Sequence, residues 1–504
     1  MKFARAALAL LLAPLVTIAS ARAAGTLRFG LEFDPDVLDP ARETSYTNRI
    51  VFSSMCDALF DIDRDLNFVP ELATSWEWSD DRLSLTLHLR ENVLFQDGEP
   101  FTAEAVRLNM ERYRTAPYSL RRTELAPVLG EDVVDAHTPR IRLSQPYAPL
   151  LSLLANRAGT PLSPRILAGT PDEVATHPVC AGPFAFKERV AQDHILLERF
   201  PGYWNADAVK LDRILFRTVP DSTVRRVNLQ AGALDIVDKL APSDMAGVGV
   251  DPKLRVLTGP SLGFQPVALN LANGPGADNP LGRDARVREA FEKSIDREAI
   301  NQVVFEGRFV PSNQTEAPGS RYWNPARPVP PRDLDGARRL LREAGVGRVP
   351  INFVTNNDPV NTQIGEMIQA MAGEAGFDVK VVSLESAGAG DLTRKGLYQA
   401  SMLIWSGRPE PDGNVSYWVG CKGSVNWTGY CNPAADALLA KGTQTLEPDA
   451  RVPIYRALTE TWMKDRPYIV LFHFTWIWGL SARVDGFAPR ADGIARPTGV
   501  SLRN

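Results

Sequence analysis

The chain has 504 residues, 44% of them apolar, with 56 Lys and Arg against 60 Asp and Glu for a formal charge of −4. That length supports two or three domains, each able to bury its own core, and argues against one compact domain. With charges nearly balanced and no basic run, the composition gives nucleic acid no footing as a partner.

The first residues read as a secretory leader over 1–23. Lys2 and Arg5 form a basic start, residues 6–18 an apolar run, and Ala21-Arg22-Ala23 a small-x-small cleavage site. The run is shorter than the roughly 20 residues a bilayer span needs, and no later segment comes closer. No Cys stands at the cleavage site, which disfavours a lipid anchor. Loss of the leader removes Lys2, Arg5 and Arg22 and takes the formal −4 to −7. The mature chain is expected to begin near Ala24 in an oxidising, periplasmic compartment.

Residues 26–30 form a short strand that runs into a polar loop, with residues 44–48 beyond it. Cys56 lies in an apolar stretch and Cys180 in a loop before Gly182; two free buried thiols fit these surroundings at least as well as a bridge between them. Over 82–90 the sequence alternates, with Leu83, Leu85, Leu87 and Leu89 on one face and Ser84, Thr86, His88 and Arg90 on the other. That is the pattern of a half-buried antiparallel strand. Residues 96–100, with Gly98 and Pro100, supply a turn, and Thr102 stands as N-cap to a helix over 103–113.

In this stretch Leu72-Ala73, Ser75-Trp76, Asp80-Asp81, Leu89-Arg90, Val93, Phe95, Asp97-Gly98, Phe101-Thr102-Ala103 and Val106 follow a recognisable order and spacing. The segment resembles the signature of family 5 extracellular solute-binding proteins, the dipeptide, oligopeptide, nickel and glutathione receptors of ABC importers. Further blocks extend the likeness: Ala181-Gly182-Pro183-Phe184, Phe200-Pro201-Gly202-Tyr203-Trp204, residues 229–236, Val287-Arg288-Glu289-Ala290 and residues 295–300. The resemblance implies an α/β, two-lobed periplasmic binding protein fold, type II, of the large peptide-binding class with an extra outer subdomain. On that plan residues 24–264 form lobe I, with the outer subdomain at about 51–175. Residues 265–477 form lobe II, and 478–504 return to lobe I. The resemblance also puts the 44–48 loop, with Tyr46, beside the ligand cleft.

Residues 254–271 read as two extended pieces around Gly259-Pro260-Ser261-Leu262-Gly263. This spells the nucleophile elbow of hydrolases, but the elbow needs a helix directly after its serine, and residues 264–271 look extended. A turn is the expectation. From about 275 helices and strands alternate: helices over 284–295 and from Asp296 to Gly307, an amphipathic helix at 334–344, a strand at 351–355, a helix at 360–375, and strands at 377–384 and 399–405. Such alternation implies a parallel or mixed sheet covered on both faces. Helices near 433–441 and 450–465 then lead to an apolar strand at 468–474. Cys421 and Cys431 enclose a polar, aromatic loop with little else to hold it, and a disulfide is expected there.

The loop that leaves the strand ending at Trp405 carries Arg408, Glu410, Asp412 and Asn414, the densest directional polar set on the chain. Ligands of open α/β sheets bind at such strand ends. An Arg grips a carboxylate with two parallel hydrogen bonds and a nearby acid receives an ammonium, as a zwitterion requires. In dipeptide-binding relatives an Asp of an Asp-Pro-Asp-Asn segment takes the amino group; Glu410 matches the first Asp and Asp412 the second, and which acid serves is open. Trp405 and Trp427, with Tyr417, Trp418 and Tyr430, would wall the cleft, and Phe264 would approach from the hinge.

The five histidines show no metal-ligand spacing, and neither a P-loop nor a dinucleotide fingerprint occurs, so no metal and no cofactor is expected. The function implied is that of a monomeric, non-catalytic receptor that closes on a peptide or peptide-like solute and delivers it to ABC permease subunits in the inner membrane. The alternative is a secreted hydrolase using paired carboxylates or Ser261.

Overall fold

The computed structural model describes residues 25–503, and the leader expected over 1–23 lies outside them. An eleven-stranded mixed sheet runs through both lobes. In lobe I, β1 (Thr26–Leu31) pairs in parallel with Arg213–Thr218 and with Ile236–Val237. After β1, helix α1 (Tyr46–Met55) starts on Ser45, whose side chain accepts from Asn48 N, so most of the expected 44–48 loop is a capped helix start. In lobe II, Val349–Asn356 pairs in parallel with Phe377–Leu384 and with Ala400–Met402.

Two long strands join the halves. β2 (Leu254–Leu269) and β3 (Tyr468–Ser481) run antiparallel from Leu254 opposite Ser481 to Ala268 opposite Tyr468. β3 reads YIVLFHFTWIWGLS, aromatic and β-branched almost throughout, as a strand buried on both faces should. Only Phe474, Thr475 and the terminal Ser481 escape full burial, and the first two mark the crossing between lobes. β2 slips register there, between Pro260 and Phe264. Gly263 sits in the slip because a Cβ would come within 2.7 Å of the Phe474 ring and 2.8 Å of the Trp405 carbonyl oxygen. The two extended pieces read from the sequence are therefore one strand with an irregular middle.

The outer subdomain is a four-stranded antiparallel sheet with the helix Ala103–Thr115 against it. Leu85, Leu87 and Leu89 point into its core, while Leu83 is 38% exposed because the ladder begins only at Ser84, after the turn at Arg82. That core draws on Ala41, on residues from Leu59 to Ala158 and on Ala181. α1, Leu162 and Val174 pack into lobe I instead, so this core is narrower than the span 51–175.

Both cysteine pairs are joined, Cys421 to Cys431 and Cys56 to Cys180. The second corrects the expectation of two free thiols. Cys56 ends α1, and Gln96 holds the Cys180 segment against that end by accepting from Cys180 N and donating to the Met55 carbonyl, which brings the two Cα atoms to 5.4 Å.

The last residues return to lobe I: Val484, Ile494, Ala495 and Val500 join its core, and the Ala491 carbonyl accepts from Leu262 N beside the crossing. The lobes are closed on one another. Ala148 N of the outer subdomain donates to the Thr443 carbonyl of lobe II at 2.8 Å, and Gln444 meets Gln145.

Candidate functional site

Trp405 leaves the sheet through a pair of 2.9 Å backbone bonds with Phe264. The chain then turns at Gly407, whose φ of +78° and contact with the Leu262 backbone leave no room for a side chain. Asn414 ties the turn shut. Its Oδ1 accepts from Arg408 N (2.7 Å) and from Trp405 Nε1 (3.3 Å), and its Nδ2 donates to the Arg408 carbonyl (2.8 Å).

So held, the Arg408 guanidinium lies 4.7 Å from the centre of the Trp405 ring. Its hydrogen bonds go to Ser406 Oγ and the Gly407 carbonyl, and it pairs with no carboxylate of the described residues. Burial, then the charges of Arg49 and Arg157, hold its pKa well below the usual arginine value.

The two acids of the loop have different fates. Glu410 turns inward to Arg451 of the helix Pro448–Asp465. One bond is 2.9 Å, a second joins Arg451 Nη2 to Glu410 Oε1, and Nη2 also donates to Tyr455. The pair is 4% and 10% exposed, which makes Glu410 part of the lobe's interior. Asp412, in the first turn of the helix Asp412–Val419, accepts from Ser416 Oγ on Oδ2 but has no partner for Oδ1. Burial first, then the Glu410 charge, push its pKa up to about 7. Nearby Glu316 is pushed by burial to about 8.

Lobe I presents a different wall. The Tyr46 ring stacks on Trp476 at 5.3 Å, its hydroxyl donates to the Gly493 carbonyl, and Lys239 Nζ lies 5.1 Å from its ring centre. Asp238 beneath is fully buried without a hydrogen-bond partner, and burial raises it to about 6. Arg49, three residues beyond Tyr46, reaches Asp492 at 3.8 Å.

Two cavities lie along this boundary. A small one of about 30 Å³ is enclosed between the outer subdomain and lobe II by Tyr147, Arg157, Arg408, Asp412 and Tyr417, among others. A larger one of about 320 Å³ opens between lobe I and the outer subdomain, with Arg49, Asp57, Glu71, Arg157 and Arg496 in its wall. Asn156 and Arg157 line both.

Of the residues singled out in the sequence, Trp405, Arg408, Asp412 and Asn414 converge on one rim. Tyr46 sits in the lobe I wall. The Phe264 ring is 1% exposed, packed on Trp418 and His473, and its share in the rim is its backbone pairing with Trp405. Trp427 lies at the opposite end of the lobe II strands, where its carbonyl accepts from Tyr398 and Asn273. Ser261 is 5% exposed, lies within β2 and accepts from Gly263 N, with no helix behind it to form an oxyanion hole. Arg49, Arg157, Lys239, Asp238 and Arg451 were not singled out. Each stands alone among unrelated neighbours in sequence and acquires its place from a distant segment.

Residues 67–426 match the sequence family described as bacterial extracellular solute-binding proteins, family 5 Middle. The chain belongs to this family. It is a solute-binding protein and not an enzyme. It is 28% identical over 450 residues to the glutathione-binding protein GsiB of Salmonella typhi, a match covering 86% of each chain. Among solved structures, the periplasmic binding protein DppA of Helicobacter pylori, in complex with peptide STSA, superposes with a TM-score of 0.86 at 24% identity, covering 96% of this chain and 99% of that one. A dipeptide-binding protein of Pseudoalteromonas sp. SM9913, in complex with Met-Leu, superposes at 0.86 with 21% identity over 95% of this chain and 100% of that one. The two-lobed binding-protein fold is thereby established.

Proposed function

We propose that this chain is the periplasmic receptor of an ABC importer and captures a peptide or peptide-like solute between its lobes. One observation carries the assignment to a zwitterion. Arg408, with no carboxylate partner, and Asp412, with an unpartnered oxygen, face the same enclosed space. Arg408 receives the solute carboxylate through its fork, and Asp412 its ammonium. Glu410 supports the loop from within through Arg451, so the amine falls to Asp412. Trp405 fixes the plane of Arg408. The relatives' names agree in kind, since they concern glutathione, a tetrapeptide and a dipeptide.

Closure uses the two-strand crossing. β2 and β3 are the long strands shared by the lobes, and the register slip opposite Phe474 and Thr475 is the point where they flex. A solute favours the closed state only by the contacts it makes with both lobes at once. The small cavity admits its charged head and the larger one its body. The receptor works as a monomer, after removal of its leader, and hands the solute to the permease unchanged.

Titration calorimetry of the purified mature protein against a peptide panel tests this reading, together with mass spectrometry of whatever co-purifies. Saturable binding of zwitterionic peptides, lost on N-acetylation and on C-terminal amidation, is expected. Binding indifferent to both modifications would remove Asp412 and Arg408 from their roles.

A further inference from the structure

Three guanidinium groups from three parts of the chain converge where the two cavities share a wall. Arg49 comes from α1 of lobe I and lines the larger cavity, Arg408 comes from the lobe II rim and lines the smaller, and Arg157 of the outer subdomain lines both. Their compensation is unequal. Arg157 is matched by Glu43 in a buried pair at 2.5 Å. Arg49 has only Asp492 at 3.8 Å, a carboxylate already bound by Arg496 at 3.0 Å. Arg49 Nη1 has no hydrogen-bond partner although the side chain is only 10% exposed. Arg408 has no carboxylate at all.

Burial, then the charge of Arg157 against the opposing pull of Asp492, brings Arg49 down to about 10. Closure brings Arg408 to a wall already positive, an arrangement that costs free energy unless a counter-charge enters with it. The acids across the larger cavity oppose an anion little. Asp61 is held by Arg490 and Arg496, and burial pushes Asp57 up to about 7 and raises Glu71.

We infer that lobe I carries a second anion subsite, built by Arg49 with Arg157 at the mouth of the larger cavity, so that the preferred solute is a peptide-like acid bearing a second carboxylate several bonds from its zwitterionic head. This rests on the receptor reading above and adds a substrate class to it. The second carboxylate also does mechanical work: seated between Arg49, Arg157 and the approaching Arg408, it converts repulsion between the lobes into attraction.

The test uses acid and amide pairs of one shape, Ala-Glu against Ala-Gln and Gly-Ala-Glu against Gly-Ala-Gln, with glutarate as a dicarboxylate lacking a peptide bond. Calorimetry on the mature protein is expected to show each acid binding at least tenfold more tightly than its amide. Arg49→Gln should erase that difference, and Arg49→Lys, which keeps the charge without the fork, should retain part of it and serves should the first variant fail to fold. Equal affinities within a pair, or a difference that survives Arg49→Gln, overturns the subsite while leaving the peptide receptor intact. Arg49-dependent binding of glutarate with no peptide bound upholds the subsite and overturns the peptide reading. No binding by any probe overturns both.

Discussion

The two sides of the boundary are built in opposite ways. The lobe II rim is one continuous run from Trp405 to Asn414, pinned by its own residues: Asn414 bonds both ends of the turn, Gly407 permits it, and the strand bond to Phe264 anchors it. The lobe I wall is assembled from Tyr46 and Arg49 on α1, Arg157, Lys239, Trp476 and Asp492, no two segments adjacent in sequence. The disulfides repeat the contrast. Cys421 and Cys431 close ten residues within lobe II, whereas Cys56 and Cys180 close 124 residues around the outer subdomain. A rim held by local bonds can be altered one function at a time; a wall held by long-range packing ties ligand contact to folding.

Removing the long bridge is the harshest way to break this contrast. Chain-entropy reasoning assigns about 5 kcal/mol to a loop of 124 residues and about 3 kcal/mol to one of ten. Urea unfolding of Cys56→Ala with Cys180→Ala is therefore expected to show the greater loss, and Cys421→Ala with Cys431→Ala the smaller. Equal losses would mean that the long loop is already constrained in the unfolded chain.

Within the rim, Glu410→Ala strands a buried Arg451 and is expected to cost about 4 kcal/mol of stability, since breaking a buried pair leaves an uncompensated charge. Arg408→Ala, which breaks no ion pair, should leave unfolding nearly unchanged while weakening a zwitterionic ligand by about 2 kcal/mol, roughly thirtyfold. A Glu410 variant that unfolds normally but loses ligand would exchange the roles assigned to the two residues.

The smallest effect is that of pH on Asp412. A carboxyl raised to about 7 in the folded state holds its proton more tightly folded than unfolded, so its contribution to stability is present below the unfolded value of about 4 and is lost as pH rises through about 7. Ligand affinity runs the other way, because an ammonium needs the ionised acid. Between pH 6 and pH 8 the dissociation constant should fall about tenfold, and Asp412→Asn should remove the dependence. A flat profile in the unaltered protein would take the amine away from Asp412.

Much of the fold could be read because it is written in local pattern. Thr102, Asp284 and Asp296 cap helices where their spacing placed them, and Phe377–Leu384 stands as a strand between helix ends marked by glycines. The exceptions have local causes as well. Leu83 missed the core because a turn precedes it, and β3 runs on to Ser481 because its apolar residues continue across the crossing. At the site, Arg408, Asp412 and Asn414 were legible as a polar cluster after a buried strand. The partner of Glu410 was not, since Arg451 lies 41 residues further on and pairing across a helix–loop contact leaves no periodic trace.

Sequence alone determined the strands and helices, the alternation that forces a covered mixed sheet, and a charged loop at its edge, all of which depend on neighbours within a few turns of chain. Tertiary structure decided which of two acids remains for a ligand, that Cys56 meets Cys180, and that Arg49, Arg157 and Arg408 face one another. Those outcomes depend on free energies of burial and of charge across contacts between remote segments, and such contacts exist only once the lobes have folded and closed.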